Sequence, residues 1–125
     1  MPVLLQVALG GALGASMRYL TVQGSLRTFG PTFPYGTMIV NVVGSLIMGL
    51  AAVYLMERFG HSKIAPFVLT GCLGGFTTFS AFSLDVITLL EKGRLASATF
   101  YLAGSVGLSI IAVLIGVLIM RSILS

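Results

Sequence analysis

The chain has 125 residues, 57% of them hydrophobic and only 8% charged, against about 25% charged in an average soluble domain. A soluble protein of this size needs more charged surface than that, so the composition excludes a water-exposed globule and points to a single integral membrane domain over residues 1–125. The net charge of +4, from seven Lys and Arg against Glu57, Asp85 and Glu91, reads as anchoring at the lipid surface rather than as a nucleic-acid footprint.

Four apolar stretches follow one another, each near the ~20 residues that cross ~30 Å of hydrocarbon. The first covers residues 3–20 and ends near Arg18 and Tyr19. Its first nine residues hold no Lys or Arg, which argues against a cleaved signal peptide. The second covers residues 35–56, entered through Pro31 and Pro34 and left through Glu57 and Arg58. The third covers residues 64–90, with Pro66 near its start where proline is tolerated. The fourth covers residues 95–120. The links SLRTFGPTFP, ERFGHSK and EKGR are short and carry the turn and charge residues, His61 among them as a solvated loop residue. The expectation is an all-α, multi-pass protein of the inner (plasma) membrane. Cys72 is the sole cysteine, so no disulfide forms within the chain.

Orientation in the bilayer follows the Lys and Arg bias of the links. One side carries Arg58, Lys63 and Arg121; the other carries Arg18, Arg27, Lys92 and Arg94. Three against four is no bias, so the chain is expected to insert both ways up. Two opposed copies would then pair as an antiparallel, dual-topology homodimer about a two-fold axis in the membrane plane.

The spans carry polar and small residues in register. Gly10 and Gly14 form a GxxxG pattern in the first span, and Gly71 and Gly75 form another in the third. Thr37, Asn41, Ser45 and Gly49 recur every four residues in the second span and make one stripe. Tyr101, Ser105 and Ser109 repeat the pattern in the fourth. Such stripes serve as helix–helix glue or as a wet path, and the amide of Asn41 suits either. In the third span the adjacent Gly74 and Gly75 predict a break, because each weakens a helix by about 1 kcal/mol relative to alanine. Thr77 and Thr78 compete further for the backbone. An unwound backbone at membrane depth must be buried in protein or line a cavity, and its freed carbonyls suit a hard cation such as Na⁺. Phe76, Phe79 and Phe82 are spaced by three and would share a helical face, with Ser80 and Ser83 beside them. Aromatics at that spacing are commonly core or lipid contacts. Yet their positive ring edges also suit a weakly held anion, as conduction requires.

The stretches GALGASMRY (Gly11–Tyr19), GTMIVNVVGS (Gly36–Ser45) and GCLGGFTTFSAFSLD (Gly71–Asp85) resemble the Fluc/CrcB fluoride channels over essentially the whole chain. The GGxTTFSxFS core, Gly74 to Ser83, is the specific part of the likeness. Phe76 stands where an aliphatic residue is expected in many relatives. The resemblance implies a dual-topology homodimer that exports fluoride passively through two pores. It implies a structural Na⁺ at the dimer centre, held by main-chain carbonyls of Gly74 and Thr77 from both copies. It implies a fluoride path lined by Asn41, Phe79 and Phe82, with Tyr101, Ser105, Ser109, Thr37 and Thr78 along it and Arg18 at a vestibule.

Two other classes compete. A small proton-coupled multidrug exporter needs a titratable carboxylate within the membrane. Asp85 is the one acid inside a span, and it is expected near the interface, capping a helix or pairing with Arg or Lys. A non-conducting membrane assembly subunit would use the same stripes only for packing. No nucleophile–base pair, metal-ligand cluster or phosphate loop supports an enzyme.

Overall fold

The computed structural model describes residues 1–59 and 63–125. The expected position of His61 lies outside these. The regular structure of the described residues is all helical, without strands: α1 (Val3–Phe29), α2 (Tyr35–Phe59), a π-wound segment π1 (Pro66–Leu73), a short α3 (Gly74–Phe76), α4 (Ser80–Glu91) and α5 (Leu95–Leu124). Segments π1, α3 and α4 together form the third of four membrane-length apolar spans. The protein is a multi-pass membrane protein.

The first helix is longer than its apolar run. It continues past Arg18 to Phe29 and stops at Gly30, whose φ of 81° is a left-handed conformation that side chains resist. Arg18 therefore lies inside a helix rather than at its end. The EKGR link is set by Gly93 (φ 73°): its N–H bonds Leu90 O and the next N–H, of Arg94, bonds Leu89 O, both at 3.0 Å. That pair is a Schellman stop, which leaves α4 and turns the chain into α5 within a few residues. The Arg94 guanidinium also donates to Thr32 O, fastening this link to the one between α1 and α2.

The two GxxxG patterns meet. A Cβ at Gly14 would collide with the Cys72 carbonyl, and one at Gly71 would lie 2.9 Å from the Gly10 Cα. Glycine here permits backbone-to-backbone contact between α1 and π1, the source of association where lipid removes the hydrophobic drive. Gly14→Leu is expected to leave no folded protein in detergent. Gly14→Ala should cost about 1–3 kcal/mol of stability, the scale of overpacking, read from a denaturant titration. A wild-type midpoint for both variants would mean the contact is slack.

On the other side α2 packs along α5. Gly49, last of the expected stripe, lies against the Val113 carbonyl, and Gly116 of α5 against Leu46 and Leu50 of α2. A core of Phe82, Leu89, Ala98 and Tyr101 joins α4 to the start of α5, with Phe33, Met38 and Val86 around it. The outward faces of α1 and α5 remain apolar and exposed, as lipid contact requires. Among the described residues one ion pair forms, Arg121 Nε to Glu57 at 3.5 Å, where α2 and α5 end.

Candidate functional site

The third span is interrupted, but not at the glycines. Gly74 is right-handed helical (φ −63°, ψ −36°), and helix persists to Phe76. The chain becomes extended at Thr77 (φ −86°, ψ 158°) and helix resumes at Ser80. The reason is local chemistry. Gly75 is needed for approach rather than for unwinding, since a Cβ there would sit 2.8 Å from Gly11 O. The threonines do the unwinding. Thr77 closes the incoming turn with both its N–H (3.0 Å) and its hydroxyl (2.9 Å) on Leu73 O. Thr78 opens the outgoing one by accepting the Ala81 N–H on its own hydroxyl at 3.2 Å.

Asn41 holds the gap open. Its Oδ1 accepts the Thr78 N–H at 2.8 Å and its Nδ2 donates to Thr78 O at 3.0 Å. The amide thus pairs with the broken backbone as a neighbouring strand would, and one N–H of its NH₂ group is left over. These bonds leave two carbonyls unserved. In an unbroken helix the Thr78 N–H would serve Gly74 O and the Ala81 N–H would serve Thr77 O. Both donors are committed elsewhere, and among the described residues no other donor reaches either oxygen. Gly74 is also exposed. Two main-chain oxygens without a donor, one of them on an exposed glycine, fit a hard monovalent cation.

Beside the break lies a groove of about 250 Å³ lined by Asn41, Ser45, Thr77, Thr78, Phe79 and Phe82, with Ser105, Val106, Ser109 and Ile110 of α5 opposite. The Ser105 and Ser109 hydroxyls are buried without a hydrogen-bond partner among the described residues. No titratable group lines it. Phe79 and Phe82 pack with ring centroids 5.6 Å apart at 59°. Phe76 does not share their face: the break turns it towards Gly44 on α2, where a Cβ would touch its ring at 3.2 Å. Six of the expected path residues (Asn41, Thr78, Phe79, Phe82, Ser105, Ser109) thus meet in one groove.

Thr37 and Tyr101 lie beyond it. Tyr101 is fully buried, its ring tilted 49° against Phe82 with centroids 5.2 Å apart, and its hydroxyl donates to Asp85 Oδ2 at 2.9 Å. Asp85 and Thr37 line a second cavity of about 240 Å³ with Ser25, Thr88 and Lys92. The expected Arg or Lys partner of Asp85 is thus replaced by a phenol, because α5 brings Tyr101 closer than any cationic side chain. Arg18, the expected vestibule residue, donates its Nε to Gly75 O at 2.9 Å. Ser45 is a groove residue that a path drawn from Asn41 omits; the four-residue spacing from Asn41 signals it. Val106 and Ile110 are the apolar wall, and nothing in an apolar helix marks them beforehand.

Four spans, the third interrupted beside a groove lined by hydroxyls, an amide and aromatic rings, define a small multi-pass membrane protein. The family described as CrcB-like protein, Camphor Resistance (CrcB), matches residues 5–117. A "Fluoride-specific ion channel FluC" of Cereibacter sphaeroides is 59% identical over 118 residues, 94% of each chain. Proteins of the same name from Ruegeria sp. (52%, 97% of this chain and 96% of that one) and Rhizobium etli (50%, 94% of each) are similarly close. The chain belongs to the CrcB family.

Proposed function

We propose that this protein is a fluoride-selective passive channel, not an enzyme, that exports cytoplasmic fluoride across the plasma membrane. The observation that carries this is the groove: it is lined by Ser105 and Ser109, whose hydroxyls have no partner among the described residues, by Asn41 and by the rings of Phe79 and Phe82, with no fixed charge to trap an anion. Such a lining attracts fluoride weakly enough for it to leave. From the groove the path continues past Phe82 and Tyr101 to the cavity of Thr37 and Asp85. The names of the relatives support the same ion.

A homodimer fits the surface. In a single chain Phe79 is 76% exposed, so one wall of the groove is missing. A second copy would supply it, and the near-even distribution of Lys and Arg favours an antiparallel arrangement with two paths. Gly74 and Thr77 carbonyls of both copies would then hold one Na⁺ at the centre, where it neutralises their partial charges and fastens the pair. The carboxylate an exporter would need for proton coupling, Asp85, is engaged by Tyr101 and lies outside the groove.

The physiological logic is protective. HF crosses membranes neutral and dissociates inside, and the membrane potential then drives the anion out at ~2.3 kcal/mol per charge per 100 mV. Expression in a fluoride-sensitive bacterial strain is expected to restore growth in fluoride; no rescue by a correctly inserted protein would contradict the reading. Replacing Na⁺ by a large organic cation on both sides should slow reconstituted fluoride flux and raise the monomer fraction, and no change in either would remove Na⁺ from the account.

A further inference from the structure

Arg18 is a cation past the middle of α1, and among the described residues no carboxylate lies within ion-pair distance of it. A charge inside a span needs a reason. It continues the Gly10–Gly14 spacing by four more residues, so its side chain leaves the face of α1 that packs on π1. There its Nε donates to Gly75 O at 2.9 Å. That oxygen is another that the break releases: in a continuous helix the Phe79 N–H would serve it, and Phe79 lies beyond the extended turn.

We propose that Arg18 is the positioning residue of the break. It pins the Gly75 carbonyl from one side while Asn41 pins Thr78 from the other. Peptide planes are rigid, so fixing Gly75 O fixes the plane adjoining the Gly74 carbonyl and the exit of the chain towards Thr77. The positive charge strengthens the bond, because a charged donor to a carbonyl outlasts a neutral one in low dielectric. Without it the turn rewinds or frays, and the Phe79 and Asn41 walls of the groove lose register. The functional part of this rests on the groove being a fluoride path; the structural part does not.

The test separates the two. Gly75–Phe76 is the only Gly–Phe pair in the sequence, so carbonyl-¹³C glycine with ¹⁵N phenylalanine labels this one peptide bond. In Arg18→Ala the Gly75 carbonyl resonance is expected to move, and in Arg18→Gln to return towards wild type. The Gln Nε2 lies as many bonds from its Cα as the Arg Nε does and can donate to the same oxygen. An unmoved resonance in Arg18→Ala would overturn the proposal, whether or not the protein conducts. In fluoride efflux from liposomes, with conducting wild type alongside, Arg18→Ala is expected to lose about tenfold or more, the scale of one charge-assisted hydrogen bond. Arg18→Gln should recover most of that loss. If Arg18→Lys recovers flux and Arg18→Gln does not, the charge and not the tie is what matters, and the positioning role fails. Wild-type protein that does not conduct would sink the fluoride reading while the resonance still decides the tie.

Discussion

Asn41→Asp is expected to abolish fluoride flux. The carboxylate has the shape of the amide but no N–H, so the donation to Thr78 O becomes a repulsion between two oxygens while the bond from Thr78 N–H survives. An unserved buried carbonyl costs about 1–3 kcal/mol. The new negative charge also faces the groove through which the anion must pass. At ~4 Å and an effective dielectric near 20, like charges repel by about 4 kcal/mol, close to a thousandfold in occupancy. Efflux from liposomes should therefore fall by about a hundredfold or more. Asn41→Ala distinguishes the contributions: it removes the brace without adding charge, and should fall less. Equal flux in Asn41→Asp and wild type at neutral pH would mean that Asn41 neither holds the break nor lines the path.

Phe82→Ile is expected to reduce flux about tenfold or more while leaving the fold intact. Phe82 is buried in the core with Leu89, Ala98 and Tyr101, so the substitution removes volume there; large-to-small core changes cost about 0.5–5 kcal/mol depending on how the site collapses. The ring is also the joint between the groove and Tyr101, and an aliphatic side chain has no positive edge to offer an anion. Phe79→Ile is a cleaner probe of the same chemistry. In one chain that ring is mostly exposed, so it carries little of the subunit's own stability. Both variants should elute as wild type does and conduct poorly. Undiminished flux in both would remove the aromatic edges from the path.

Much of this arrangement is legible in the sequence because the membrane imposes strict rules. A span must be apolar and long, so four of them read directly. Glycines spaced by four must face a backbone, and the GxxxG patterns of α1 and π1 do meet. The period of four from Asn41 to Ser45 and from Ser105 to Ser109 places those residues on facing stripes. The place of the break was harder to read. Gly74 and Gly75 looked like its cause, since glycine is a poor helix former. Gly74 stays helical, and the role of Gly75 is set by what packs on it, Gly11 and Ala15 of α1; there tertiary contact outweighs propensity. Thr77 and Thr78 break the helix because Asn41, some three dozen residues earlier, is there to take up the freed N–H. Pairings across helices leave no local signal. Asp85 with Tyr101 and Arg18 with Gly75 are of this kind, and for Asp85 charge alone suggested an Arg or Lys partner instead.

The central claim is that the groove beside Thr77–Phe79 passes fluoride and rejects chloride. It is tested most directly by loading liposomes that hold the purified wild-type chain with fluoride or with chloride, adding a potassium ionophore, and following release with ion-selective electrodes. Rapid fluoride release with chloride retained is the predicted result. Retention of both ions by folded protein, or release of both at similar rates, would contradict it.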